Sequence, residues 1–192
     1  MKRGRRLLKK ITLLGDSIRQ IGYGLKASEA FGEGYTIFQP ADNCRFASYM
    51  LRMIYDCRRE IESSDAVQFN CGSWDACDLF GDGAFTPLDE YLATMMRITK
   101  LLQGMCPNVF FATTTPVLEG KTDQRNDLII AENEAIVPLM RERGVVINDL
   151  YALVQSDIQR YIRADDRVHL TDAGIAACAQ QTAEIIKKEL EK

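Results

Sequence analysis

Histidine is nearly absent from this chain: among 192 residues there is one, His169. Tryptophan is as scarce, with Trp74 the sole example. A single imidazole cannot build the histidine-rich ligand sets of most zinc centres. The six cysteines (Cys44, Cys57, Cys71, Cys77, Cys106 and Cys178) include no C-x-x-C pair, so no metal and no cofactor is expected. Long apolar runs are missing too. No stretch approaches the ~20 residues of a membrane span, and no uninterrupted apolar segment follows the first basic residues as in an export signal. The expectation is therefore a cytoplasmic protein whose cysteines are free thiols acting as small buried hydrophobes. Positive charge is not in excess either. A formal net charge of -3 argues against a nucleic-acid partner. The one basic cluster, Lys2, Arg3, Arg5, Arg6, Lys9 and Lys10, reads as a solvated N-terminal arm.

What is present is the composition of one soluble domain spanning residues 1–192, long enough to bury a single sizeable core. Short runs at 10–14, 35–39, 66–70, 109–113 and 145–148 are apolar on nearly every residue, as strands covered on both faces are. Helical spacing occupies 46–61, 88–102, 126–143 and 172–191. Thr171 is placed to cap the last of these, with Asp172 in its first turn, and Gly144 closes the helix over 126–143. Strand–helix alternation predicts right-handed crossovers and a five-stranded parallel sheet in a three-layer α/β/α sandwich of flavodoxin-like topology. No repeat, low-complexity tract or linker interrupts it.

In such a sheet chemistry collects at the C-terminal ends of the strands. Ser17 follows the first strand, Asn43–Arg45 the second, 70–75 the third and 113–116 the fourth, while 166–169 follow the fifth after a further helical stretch. A serine in the turn Gly15-Asp16-Ser17 projects its hydroxyl from the sheet edge, and its own N–H faces the same space. An aspartate three residues before a histidine can fix the imidazole tautomer, freeing the other ring nitrogen to take the serine proton. Asp166 is the expected orienter, with Asp165 a competitor.

Gly15-Asp16-Ser17 and Asp166-x-x-His169-Leu170-Thr171-x-x-Gly174 resemble the first and fifth blocks of the SGNH (GDSL-type) hydrolases. The likeness extends over essentially the whole chain. Asp42-Asn43-Cys44-Arg45-Phe46, Phe69-Asn70-Cys71-Gly72-Ser73-Trp74-Asp75, Thr113-Thr114-Thr115-Pro116-Val117 and Arg125-Asn126 also resemble one branch of that family. The resemblance implies an esterase: Ser17 as nucleophile, His169 as general base and then acid, Asp166 as orienter. The expected oxyanion hole is the N–H groups of Ser17 and Arg45, with Gly72 or Asn70 as the further donor.

Two departures accompany it. Arg45 stands where the family's second block has glycine, and Trp74 stands where its third block has an asparagine donor. Asn70, two residues before Gly72 and on the same face of an extended chain, is either a replacement donor or a strand-end turn former. On the same rim Asp16, Trp74, Asp75 and Thr115 are candidates for substrate contact. Trp74 equally suits packing, and Thr113–Thr115 suit a strand-end cap better than substrate contact. Gly81-Asp82-Gly83 and Gly120-Lys121 mark loops where specificity would be set. The expected substrate is a small-molecule ester, a short acyl group on a carbohydrate or similar polar alcohol. A non-catalytic binding protein on the same scaffold, and a thioesterase or lysophospholipase, are the alternatives.

Overall fold

A computed structural model describes residues 8–120 and 123–192. Most of the N-terminal basic cluster (Lys2, Arg3, Arg5 and Arg6) and Lys121 lie outside the described residues. Five parallel strands form the sheet: β1 Lys9–Leu14, β2 Tyr35–Phe38, β3 Ala66–Phe69, β4 Val109–Ala112 and β5 Val146–Asn148. Their spatial order is β2-β1-β3-β4-β5, the flavodoxin-like arrangement expected from the sequence. Each strand ends within a residue or so of its expected bounds.

Alternating strand residues sort the core into two halves. Ile11, Leu13, Phe110 and Ala112 face one helical layer; Leu14, Val67, Phe69 and Phe111 face the other. The first layer contains α1 Gly24–Phe31, the short α6 Leu150–Gln155 and the C-terminal α8 Asp172–Leu190. The second contains α2 Ala47–Asp56, α3 Arg58–Glu62, α4 Leu88–Gln103 and α5 Asn126–Glu142. A further short helix, α7 Ile158–Tyr161, precedes the loop that carries His169. Thr171 caps α8 as expected, accepting from the Gly174 N–H at 3.2 Å. No described helix is long and apolar enough to cross a membrane.

Three departures from expectation have local causes. The helix expected over 46–61 divides at Cys57, where the backbone leaves helical values (φ -96°, ψ 14°). The edge strands β2 and β5 are half-buried rather than covered on both faces. Between β1 and β2 the chain forms a π-helical turn, Arg19–Tyr23, broken at Gly22 (φ -117°, ψ -123°), before α1 begins. Glycines at 22 and 24 hide this segment from a propensity reading. The turn packs against the C-terminal part of the chain: a side chain at Gly22 would meet Leu170 Cδ1 at 3.4 Å.

Candidate active site

Ser17 sits one turn beyond β1, at the start of the helical segment that leads into Arg19–Tyr23. Its N–H is thus among the first-turn donors that helix geometry leaves without an intrahelical acceptor. The turn itself is held from beneath. Asp16 is buried and accepts from the Ile18 N–H at 2.9 Å and from Asn70 Nδ2 at 2.9 Å. Burial pushes the Asp16 carboxyl up to about 6, although these two donors and the nearby Arg19 guanidinium pull it back. Gly15 must be glycine, because a Cβ there would come to 2.1 Å from Asn70 Oδ1.

His169 reaches Ser17 from the opposite end of the chain. Its Nε2 lies 2.9 Å from Ser17 Oγ, and its Nδ1 lies 2.9 Å from Asp166 Oδ2. The Asp–His loop is built around the carboxylate. Asp166 Oδ1 accepts from the N–H groups of both Val168 and His169 at 2.9 Å, and Arg167, between the carboxylate and these donors in sequence, turns the chain at φ +66°. Partial burial works to raise the Asp166 carboxyl, but those two N–H donors and the imidazole outweigh it and hold it at about 2. The carboxylate therefore stays ionised, and an Nδ1–H donated to it leaves Nε2 as the proton acceptor facing Ser17. Asp165, the competing orienter, is exposed and paired with Arg163 instead.

The hydroxyl opens on a cavity of about 500 Å³. Its walls include Phe46, Trp74, Cys77, Leu79, Phe85 and Val168. Asp123 and Gln124 also line it, with the Gln124 amide nitrogen donating to Ser73 O at 3.1 Å and Ser73 Oγ at 2.9 Å. Of the expected substrate contacts, Trp74 alone borders this space. Asp75 is fully buried: it accepts from the Ala47 N–H at 3.0 Å and from Thr86 Oγ1 at 2.6 Å, and so caps the start of α2. Asp16 is equally committed underneath Ser17. Thr115 is buried away from the cavity, beside Thr113 and Thr114, which are bonded to Asp149 and Asn133. The expectation for these three residues is corrected: the Asp16 and Asp75 carboxylates serve the scaffold, and Thr115 is buried outside the cavity.

Two of the oxyanion candidates carry hydrogen bonds within the scaffold. Asn70 donates to Asp16 and accepts from Tyr23 OH at 2.9 Å, so its amide braces the Ser17 turn. The Arg45 N–H donates to Asn43 Oδ1 at 2.7 Å, and its side chain stacks 4.5 Å over the Tyr49 ring. Arg45 nevertheless keeps the glycine-like backbone, at φ +53°. Gly72 is needed for space as much as for its φ of +142°: a Cβ would approach Thr114 Oγ1 to 2.3 Å and Glu132 Oε2 to 2.9 Å. Sequence reasoning missed Arg19, a buried guanidinium that donates to Gly15 O, Pro40 O and Asp42 O at 2.8–2.9 Å and so ties the Ser17 turn to the segment before α2. It also missed Phe46, Leu79 and Phe85. Among the described residues no cluster of three or more His, Cys, Asp or Glu side chains is arranged to hold a metal ion.

Solved structures share this architecture along nearly its full length. A lipase/acylhydrolase from Enterococcus faecalis superposes with a TM-score of 0.76 at 18% identity, covering 95% of this chain and 97% of that one. An acetylxylan esterase from Geobacillus stearothermophilus gives 0.76 at 17% identity, covering 97% and 96%. A second acetyl xylan esterase gives 0.69 at 19% identity, covering 94% and 98%. The chain has the SGNH hydrolase fold. Identities this low establish the SGNH fold alone; no protein-family model and no curated protein matches the sequence.

Proposed function

We propose that this protein hydrolyses a carboxylic ester of a small molecule through an acyl-serine intermediate. The observation that supports this reading is the unbroken line from Asp166 through His169 to Ser17 Oγ, with both contacts at 2.9 Å and a cavity open above the hydroxyl. As Ser17 Oγ attacks the ester carbonyl, His169 Nε2 takes its proton, and Asp166 stabilises the imidazolium that results. The carbonyl oxygen becomes an oxyanion beside the first-turn N–H of Ser17. Collapse expels the alcohol, which receives the proton from His169. Water then attacks the acyl-serine with His169 again the base, and the acid is released.

One specific observation keeps a second reading in play. With the Arg45 N–H bonded to Asn43, and Trp74 in place of a carboxamide donor, the oxyanion is left with fewer donors than the fold's usual complement. Each missing donor costs ~10²–10³ in rate. A non-catalytic binding protein is the limit of that trend. Turnover of p-nitrophenyl acetate separates the two. The hydrolase reading expects Ser17→Ala to lower kcat by roughly 10⁴–10⁶, with an unchanged circular dichroism spectrum. Equal rates in the two proteins, or none in either, would favour the binding protein.

A further inference from the structure

The wall of the cavity beside Ser17 differs from what a carbohydrate would need. A sugar ring stacks on one aromatic face and needs hydrogen-bonding partners for the hydroxyls it buries. Here Trp74 is joined by Phe46, Leu79, Phe85 and Val168, which leave the cavity with apolar sides from three separate loops. Of its two polar wall residues outside the triad, Gln124 already spends its amide nitrogen on Ser73. The space is also larger than an acetyl group can fill.

The apolar wall is preformed. Phe85 is fixed by its N–H to Cys77 O at 2.7 Å and by its ring 5.5 Å from that of Phe46. The next residue, Thr86, donates from both N–H and Oγ1 to Asp75, so the end of the 78–86 loop is tied to the segment bearing Trp74. At the rim Trp74, Leu79 and Phe85 remain 42%, 51% and 46% exposed, with Phe80 further out and almost wholly exposed. Large apolar side chains left half in water around a cavity gain most from a ligand that covers them.

We infer that this cavity is an acyl pocket, selecting esters of unbranched apolar acids of roughly four to eight carbons over acetyl esters. The inference rests on the ester-hydrolase reading and names the acyl half of its substrate. The chain enters between Trp74 and Phe85 with its carbonyl carbon at Ser17 Oγ, so each added methylene covers more of the apolar wall.

The test is kcat/KM along a series of p-nitrophenyl esters from acetate to decanoate, beside acetate esters of increasingly long alcohols. Each methylene from acetate to hexanoate should raise kcat/KM by about three- to fourfold, a gain on the order of 10² in all, with a plateau once the cavity is filled. Phe85→Ala should shrink the hexanoate-to-acetate ratio by about tenfold. Leu79→Ala, at a more exposed position, should shrink it in the same direction and serves if the Phe85 variant does not fold. Ser17-dependent turnover that is fastest with acetate would overturn the acyl pocket while leaving the hydrolase intact. So would a length dependence carried by the alcohol series instead. Absence of Ser17-dependent turnover along both series would remove the hydrolase reading, and the pocket assignment with it.

Discussion

Asn70 donates one of its two amide N–H groups to Asp16 and accepts from Tyr23, so its oxygen and one donor are engaged before any ester arrives. Its place two residues before Gly72 made an oxyanion donor and a strand-end residue equally readable from sequence. What the fold adds is Tyr23, a partner 47 residues away that no local pattern points to and that holds the amide oxygen. The distinction is measurable. Removing an oxyanion donor costs ~10²–10³ in kcat, whereas removing a buried brace leaves the Asp16 carboxyl and the Tyr23 hydroxyl short of partners, at about 1–3 kcal/mol of stability. Asn70→Ala is expected to lower urea stability by that amount and kcat by less than about tenfold. A loss of kcat beyond a hundredfold at unchanged stability would restore Asn70 to the oxyanion hole. Ser17, Asp166 and His169, which the fold brings into contact, were legible for the opposite reason. Serine, aspartate and a lone histidine are chemically conspicuous, and Asp166 and His169 are close enough in sequence for one loop to join them. The walls of the cavity were not, since Phe46, Leu79 and Phe85 are of the same types as the core and meet only through the fold.

At the scale of elements, the strands were readable almost to the residue because a sheet between two helical layers imposes apolar runs of fixed length. The helix after β1 was not, because Gly22 and Gly24 interrupt its pattern where the chain makes its π-helical turn. A less visible feature is Glu132 on α5, facing the loop that follows β3. It is 2% exposed, and neither carboxylate oxygen has a hydrogen-bond partner among the described residues. Burial, reinforced by the negative charge of Asp75, pushes its carboxyl from 4.5 up to about 9, so it is neutral at pH 7. A group raised in this way contributes stability that is complete below pH 4.5 and is lost as pH rises toward 9, because the unfolded chain releases the proton first. The wild-type protein should therefore lose stability relative to Glu132→Gln across pH 5 to 9, by roughly 1 kcal/mol per unit where the slope is steepest. Urea denaturation at several pH values reads this difference. Parallel stability curves for the two proteins would show that Glu132 keeps an ordinary acidity.

Across the whole molecule, polar order runs through the core toward the Ser17 turn. Asn148 on β5 donates to Thr182 on α8 and to Gln68 on β3, each at 2.9 Å. Gln68 donates to Tyr23 OH at 3.2 Å, and Tyr23 leads through Asn70 to Asp16. These contacts join β5, β3, the π-helical turn and the Ser17 loop in one buried network, which fixes the sheet edge where Ser17 and His169 meet. The convergence of both chain ends on that edge followed from the strand–helix alternation in the sequence. The network that makes it rigid did not, because buried Gln, Asn and Thr reveal their partners only once the layers are stacked.

Central to the account is that imidazole and hydroxyl act as one unit across 152 residues of chain. A phosphonofluoridate probe tests this directly, since a serine activated by histidine displaces its fluoride and keeps the phosphorus. Mass spectrometry is expected to find one adduct, on the peptide containing Ser17, formed rapidly in the wild type and slowed by several orders of magnitude in His169→Ala. Labelling at another residue, or at Ser17 with the same rate in both proteins, would contradict it.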